Sequence, residues 1–142
     1  MIGIVVAAHG PLPNALLESC DMVLGELPQV APVSLMPGDS LEGLVDRLRD
    51  AADAVETGDG VLILLDMFGG TPANATAFLS QQREHVQAVT GVSLPMLLET
   101  FLARQSTDDL DELTRTAVTA GQTGVVNVVE AFDKFRREQS NV

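Results

Sequence analysis

The chain has few aromatic and basic residues and a single cysteine. Among 142 residues there is no tryptophan or tyrosine, one cysteine and five phenylalanines, and 8 lysines and arginines stand against 20 aspartates and glutamates. A single cysteine, Cys20, excludes a disulfide framework within the chain, and its position in a helical apolar pattern indicates a small core residue. The net charge of −12 argues against nucleic acid as a partner, because the phosphate backbone would repel the protein.

Long hydrophobic runs are missing as well. No apolar run reaches the ~18 residues of a membrane span, and the start "MIGIVVAAHG" lacks the basic segment of a signal peptide. The simplest expectation is a soluble, cytoplasmic protein. Hydrophobic residues still make up 46% of the chain, so it should fold. We expect one domain over residues 1–142, with a core over 1–129 and a charged tail over 130–142.

Apolar runs and helical repeats alternate along the chain. The pattern predicts an α/β fold of three layers, in which a mainly parallel sheet of order 2-1-3-4 carries helices on both faces. The last strand follows two consecutive helices and has no sequential partner, so we expect it to be exchanged in a homodimer. The predicted strands are 2–8, 30–35, 61–66, 85–92 and 124–132. The predicted helices are 14–24, 40–56, 95–104 and 108–120. A further helix is predicted to have Thr71 as its N-cap and to turn Phe78 inward.

Two reactive side chains stand at the ends of predicted strands. His9 ends the first strand and Asp66 ends the third. Ligands of open parallel sheets bind beyond the carboxyl ends of the strands, where the winding reverses, and this sheet order places strands 1 and 3 side by side there. We therefore predict that His9 and Asp66 project into one crevice and are the catalytic residues. The other histidine, His85, is expected at the surface.

The stretch "MFGGTPANA", which begins directly after Asp66, predicts an anion seat. Two glycines before a helix start allow backbone N–H groups to turn towards a ligand, and the helix N-terminus adds partial positive charge. Thr71 could add a hydroxyl donor. The sequence leaves open whether Phe68 is a lid or a core residue. The predicted phosphate-binding residues are Gly10, Phe68, Gly69, Gly70 and Thr71.

A histidine, a carboxylate and an anion seat in one crevice indicate phosphoryl transfer through a phosphohistidine. A neutral imidazole nitrogen is the nucleophile, and a carboxylate that accepts the opposite N–H fixes the tautomer. Backbone N–H donors can meet the phosphoryl oxygens, and one histidine with one carboxylate is too small a set for a tight metal site. We expect neither a metal nor a cofactor.

Three segments resemble the enzyme IIA component of the mannose-type (mannose/fructose/sorbose) sugar phosphotransferase system. They are "AHG" at 8–10, "LLDMFGGTPANA" at 64–75 and "GVSLPMLLET" at 91–100, and the resemblance extends from residue 1 to about residue 129. It implies a phosphocarrier that is phosphorylated on Nε2 of His9, with Asp66 as the acid that holds Nδ1. It also implies dimers that exchange a C-terminal strand, here around residues 125–129.

The resemblance further implies two protein partners. The histidine-containing phosphocarrier HPr would phosphorylate His9, and an enzyme IIB unit would receive the phosphoryl group, for sugar uptake or for regulation. Fused members of the family continue into a IIB domain, whereas this chain stops at Val142. We therefore expect IIB to be a separate chain, and contact with a membrane to be indirect, through a permease complex. The sugar is left open.

Three alternatives stay open on the sequence alone. The nearest is the phosphoryl-donor subunit for dihydroxyacetone kinase, which tends to show Ser or Ala where this chain has "GGTP". A receiver-like signalling domain phosphorylated on Asp66 is another, but receivers need an acidic pair after the first strand and a late lysine. This chain has His9 and Gly10 after the first strand, and its only lysine is Lys134. The third alternative is a structural or ligand-binding module.

Overall fold

Strands and helices alternate along most of the chain, as the sequence pattern predicts. The protein is described here by a computed structural model, which covers residues 1–67 and 69–141. Within them the elements are β1 (Gly3–His9), α1 (Leu12–Leu24), β2 (Val30–Leu35), α2 (Leu41–Val55), β3 (Val61–Leu65), α3 (Thr71–Gln82), β4 (Val86–Val89), α4 (Leu94–Arg104), α5 (Leu110–Thr123) and α6 (Val128–Ser140).

The four strands form one parallel sheet of order β2-β1-β3-β4, which confirms the predicted fold class and strand order. β1 and β3 are therefore neighbours. In the register, His9 at the end of β1 lies opposite Leu35 of β2, and Ala7 lies opposite Leu65 of β3. The carboxyl ends of β1, β2 and β3 therefore meet at one edge of the sheet, which we call the carboxyl edge.

Both faces of the sheet are covered, which explains why the central strands are apolar at every position rather than at alternate ones. Val5 and Ile63 pack on one side with α2 and α3, and Ile4 and Leu62 pack on the other side with α1, α4 and α5. Burial on both faces fixes the register of β1 and β3, because a slip by one residue would exchange the two sets. The end of each strand is thereby fixed as well.

Two details of α3 differ from prediction. Gly70 is the N-cap, with φ −93° and ψ 176°, and Thr71 is the first helical residue. Pro72 is thus the second helical residue, a position that also lacks an intrahelical acceptor for an N–H. Phe78 does not turn inward as predicted. It is 49% exposed and lies beside Leu41 and Val45 of α2. Ala75 and Leu79 instead fill the buried face.

The predicted last strand, residues 124–132, is wrong. Residues 125–127 have no regular structure, and α6 begins at Val128 with the Asn127 side chain accepting a hydrogen bond from the Glu130 N–H. A β-branched run can form a strand only if a neighbouring strand pairs with its backbone, whereas a helix satisfies its own N–H and C=O groups. All of α6 is exposed in the described part of the chain.

The amino edge of the sheet, opposite the carboxyl edge, is closed by Arg104 from α4. Arg104 is 2% exposed, and its guanidinium donates to the carbonyl oxygens of Ile2, Pro28 and Gln29 over 2.7–3.2 Å. It also lies over the Phe101 ring, 4.9 Å from the centroid. Burial lowers the pKa of Arg104.

Within residues 1–67 and 69–141, no helix combines the length and apolarity needed to cross a membrane.

Candidate functional site

His9 and Asp66 meet at the carboxyl edge, as the order of the strands predicts. Nδ1 of His9 lies 2.7 Å from Oδ2 of Asp66, and the same oxygen accepts the backbone N–H of His9 at 3.1 Å. One carboxylate oxygen therefore holds both the ring and the main chain of the histidine. The His9 side chain is 48% exposed, whereas that of Asp66 is 14% exposed. The ring is accessible, and the group that orients it is largely covered.

The environment of Asp66 favours the ionised carboxylate. Burial raises the pKa of Asp66, but the hydrogen bonds from the ring and backbone of His9 outweigh burial, with a smaller contribution from the Met67 backbone. The net result is a pKa below the ordinary value of 3.8. At neutral pH Asp66 is therefore an acceptor only.

The ionised carboxylate determines the tautomer of the ring. A hydrogen bond between Nδ1 and an acceptor-only oxygen requires the proton to lie on Nδ1. In the neutral imidazole the lone pair then lies on Nε2. This arrangement can present a nitrogen nucleophile without any movement of His9 or Asp66.

The N-terminus of α3 lies against the imidazole. A side chain on Gly70 would place its first carbon 3.5 Å from Cε1 of His9, so the main chain of Gly70 passes close to the ring. No side chain caps α3, and the first N–H groups of a helix have no partner within it. Because Gly70 is the N-cap, the Thr71 hydroxyl is not engaged in capping the helix. The helix start is suited to an anion beside Nε2.

The remaining residues of the predicted anion seat play different parts. Gly69 has φ +84°, a left-handed conformation that favours glycine, and it turns the chain into the start of α3. Gly10 has φ +61°, but its N–H already donates to the Leu35 carbonyl at 2.9 Å, so that donor is not available to a ligand. Phe68 lies outside the described residues.

Cys20 and His85 lie away from the site, and the sequence analysis did not identify Met67 as a neighbour of it. Cys20 is buried in the core as expected, and His85 is exposed beside the amino edge. Among the described residues, no group of three histidine, cysteine or acidic side chains could hold a metal ion. Sequence reasoning overlooked Met67, which lies against Gly70 and is 51% exposed. The only sequence feature that could have indicated Met67 is its position directly after Asp66.

Comparison with known proteins identifies the family of the chain. Residues 3–118 match the family model described as "PTS system fructose IIA component". The chain is 37% identical over 124 residues to the "PTS system mannose-specific EIIAB component" of Escherichia coli strain K12, with 87% of this chain and 38% of that protein covered. This chain thus spans less than two-fifths of that relative. It is 34% identical to the "PTS system fructose-specific EIIA component" of Bacillus subtilis, over 74% of this chain and 72% of that one.

Solved structures give the same result. The phosphotransferase system component EIIA from Streptococcus agalactiae superposes with a TM-score of 0.84 at 27% identity, covering 92% of this chain and 99% of that one. The mannose/sorbose specific IIA subunit from Enterococcus faecalis superposes with a TM-score of 0.79 at 28% identity, covering 89% and 93%. The shared fold and the family match lead to one conclusion: the chain belongs to the mannose-type enzyme IIA family of the sugar phosphotransferase system, a family of phosphotransferase components.

Proposed function

We propose that the protein is a phosphocarrier that accepts a phosphoryl group from phosphorylated HPr on Nε2 of His9 and passes it to an enzyme IIB. The observation that carries this proposal is the 2.7 Å contact between Nδ1 of His9 and the Asp66 carboxylate, beside the start of α3. Relatives specific for mannose, fructose and sorbose support a role in the uptake of such a sugar. Regulation through the phosphorylation state of the protein is the alternative role. Such a carrier would act in the cytoplasm.

The transfer needs no proton movement at the reacting nitrogen. The lone pair of Nε2 attacks phosphorus as the bond between phosphorus and the donor's nitrogen breaks, and the donor's electron pair leaves with its imidazole. The His9 ring keeps the proton on Nδ1 and becomes cationic, and the Asp66 carboxylate stabilises that charge. In the second step the bond from Nε2 to phosphorus breaks as the phosphoryl group moves to enzyme IIB, and the ring returns to its neutral form.

The oxygens of the phosphoryl group would lie at the start of α3. Gly69 and Gly70 bring the backbone to the ring, and the Thr71 hydroxyl and the first N–H groups of the helix would donate to them. Gly10 would act through the turn that its left-handed φ allows rather than through its N–H. Phe68 belongs to the proposed phosphate-binding set because it directly precedes Gly69 in the sequence. No metal or cofactor is needed for this chemistry.

Phosphorylation with a defined donor tests the proposal. Incubation with phosphorylated HPr in the presence of a metal chelator should give an acid-labile, base-stable adduct that maps to His9. The adduct should then disappear when a cognate enzyme IIB is added. Label on Asp66 would instead favour the receiver-like function. A requirement for a tightly bound metal would contradict the proposed chemistry.

We also propose that the protein is a homodimer in which a second copy covers the apolar C-terminal segment, residues 125–135. Within that segment the exposed large apolar side chains are Val125, Val126, Val128, Val129, Phe132 and Phe135. Soluble monomers rarely expose a patch of this kind. The edge strand β4 offers a complementary surface, since a cavity of about 600 Å³ lies beside it, lined by Val89, Met96 and Val118 among others.

Truncation after Gly124 tests the dimer. The full-length protein should sediment as a dimer and the truncated protein as a monomer or an aggregate. Phe132→Ser should weaken the dimer in the full chain, whereas Phe78→Ser, which changes an exposed phenylalanine on α3, should not. A truncated protein that remains a well-folded dimer would show that the interface lies elsewhere.

A further inference from the structure

An ion pair holds the turn after β2, residues 36–39, closed beside His9. Arg47 lies on the second turn of α2, and its Nη2 contacts Oδ2 of Asp39 at 2.7 Å. We propose that Asp39 and Arg47 are positioning residues for His9, which fix the peptide unit that follows it and thereby the direction of its ring. The proposal rests on the proposed function, because it concerns how the nucleophile is held for transfer.

Asp39 acts on the site through a single peptide unit. Its Oδ2 also accepts the backbone N–H of Met36 at 2.7 Å. That N–H and the carbonyl of Leu35 belong to the same planar trans peptide, so they point in opposite directions. The Leu35 carbonyl accepts the Gly10 N–H at 2.9 Å. One rigid plane therefore connects the Asp39 carboxylate to the residue after His9.

Arg47 anchors that carboxylate to the strand itself. While Nη2 holds Asp39, Nη1 donates to the Ser34 carbonyl at 2.6 Å. β2 is an outer strand of the sheet, and because the Leu35 carbonyl points towards β1, that of Ser34 points away from the sheet. Arg47 thus satisfies a group at the open side of β2. The planar guanidinium can hold two acceptors at once, whereas a lysine would offer one point of attachment.

Both peptide units that flank the α-carbon of His9 are fixed as a result. The N–H of His9 is held by Asp66 at 3.1 Å, and the next N–H, that of Gly10, is held by Leu35. Together they restrain φ and ψ of His9, and so the direction in which its side chain leaves the backbone. A charge-assisted hydrogen bond at one end of a peptide unit polarises it and strengthens the bond at its other end. Loss of the Asp39 carboxylate should therefore loosen the contact of Gly10.

Stability does not account for the pair. The side chains of Arg47 and Asp39 are 43% and 30% exposed, and exposed ion pairs contribute little to folding because water screens them. The same helix carries a matched pair, Arg49 and Asp46, in which the arginine is 40% exposed and the two atoms lie 2.9 Å apart. The described side-chain hydrogen bonds of Arg49 go to Asp46 and Gln82, away from β2. This second pair is the control for charge and position on α2.

Labelling of His9 by two donors tests the proposal. Phosphoramidate has no protein surface, so an effect that it shares with phosphorylated HPr concerns the ring and not docking. In Asp39→Ala and in Arg47→Met, kcat with HPr and the second-order rate constant with phosphoramidate should both fall by about tenfold, because a small misplacement of the nucleophile slows transfer. The KM for HPr should stay near the wild-type value. Asp46→Ala and Arg49→Met should keep the wild-type rates.

Two further variants show whether the residues act as a unit. Arg47→Lys keeps the charge but cannot hold both acceptors, so it should also be slow. Asp39→Ala/Arg47→Met should be little slower than either single variant, because each substitution already releases the turn. Circular dichroism would check that the fold is retained in each.

Nuclear magnetic resonance follows the connecting hydrogen bond directly. The scalar coupling between the Gly10 nitrogen and the Leu35 carbonyl carbon, which is transmitted through that bond, should decrease in Asp39→Ala and in Arg47→Met. It should keep its wild-type value in Arg49→Met. An unchanged coupling in slowly labelled variants would overturn the proposed path from Asp39 to the site.

The labelling results decide the rest. Wild-type rates in both Asp39→Ala and Arg47→Met would overturn the proposal. A loss with HPr but not with phosphoramidate would also overturn it, since the turn would then act in docking. If neither donor labels wild-type His9, the proposed function itself fails, which is a different result from slow labelling in the variants alone.

Discussion

The key polar side chain is buried at the amino edge of the sheet and half exposed at the carboxyl edge. At the amino edge the Arg104 guanidinium is buried and donates to three backbone carbonyls. At the carboxyl edge Asp66 holds one nitrogen of the His9 ring and leaves the ring half exposed. The first edge uses its polar contacts to join strand starts and a helix. The second uses them to orient a group that remains open to a partner.

This difference separates stability from reactivity within one small domain. A buried guanidinium whose two terminal nitrogens donate to the backbone can be exchanged only at a cost in folding. An exposed ring held by a single carboxylate contributes little to folding, and its orientation matters chiefly for chemistry. Substitutions at the two edges should therefore affect different measurements, and the following predictions run from the largest expected effect to the smallest.

Replacing the carboxyl-edge histidine should abolish phosphorylation. His9→Ala removes the nucleophile, so no label should appear with either phosphorylated HPr or phosphoramidate. The fold should be retained, because the ring is half exposed and packs little, and circular dichroism would check this. His85→Asn is the matched control, since the second histidine lies near the amino edge with φ +58°, which asparagine tolerates. It should be labelled at the wild-type rate.

Replacing the aspartate should slow phosphorylation without stopping it. Asp66→Asn keeps the shape of the side chain but can offer an N–H to Nδ1 and so favour the wrong tautomer. We expect single-turnover phosphorylation by HPr to slow by roughly 10² to 10⁴, the upper figure being that of an orienting aspartate in a serine protease. Asp59→Asn, at the amino edge where Asp59 contacts the N-terminal ammonium, should leave the rate unchanged. A wild-type rate in Asp66→Asn would reduce Asp66 to a structural role.

Replacing the amino-edge arginine should change stability and leave the chemistry alone. Arg104→Met removes the guanidinium hydrogen bonds to three carbonyls, of which that of Gln29 keeps the Ile4 N–H as a donor, and should lower the free energy of unfolding by roughly 3 kcal/mol, measured by urea denaturation. Arg115→Met, an exposed position on α5, should change it by no more than about 0.5 kcal/mol. While folded, Arg104→Met should be phosphorylated at nearly the wild-type rate. A large loss of rate would mean that the two edges are coupled.

The smallest expected effect is on the free energy of unfolding at acidic pH. Because the pKa of Asp66 in the folded protein is below its ordinary value of 3.8, the stabilisation from its carboxylate is fully present above about pH 4. It is lost as the pH falls through the lower, folded-state pKa. The free energy of unfolding should therefore fall less on acidification in Asp66→Asn than in the wild type below pH 4. Equal acid profiles would show that the two hydrogen bonds from His9 do not stabilise the carboxylate.

Much of the site could be predicted because topology alone determines it. Once strands 1 and 3 are adjacent and parallel, the residues at their carboxyl ends must lie close together. The contact between His9 and Asp66 could therefore be predicted from the strand order alone. The sequence could not show that one carboxylate oxygen accepts both the ring and the backbone of His9. That detail depends on the side-chain rotamer of Asp66 and on the bend of the chain at Gly10.

Other features could not be predicted because they depend on what surrounds a segment. The pattern in residues 124–132 is compatible with a strand or with the start of an amphipathic helix, and pairing with a neighbour decides between them. Phe78 is apolar, but the space between α2 and α3 is already filled by Ala75 and Leu79, so it faces outward. The exposure of Met36 and Met67 likewise depends on the openness of the carboxyl edge.

The position of the phosphoryl group on the His9 ring tests the central claim most directly. Nuclear magnetic resonance of the phosphorylated protein, with ¹⁵N-labelled histidine and ³¹P coupling, distinguishes the two ring nitrogens. The hydrogen bond from Nδ1 to Asp66 predicts phosphorus on Nε2, with the Nδ1 proton retained. Phosphorus on Nδ1, or on the Asp66 carboxylate, would contradict the account.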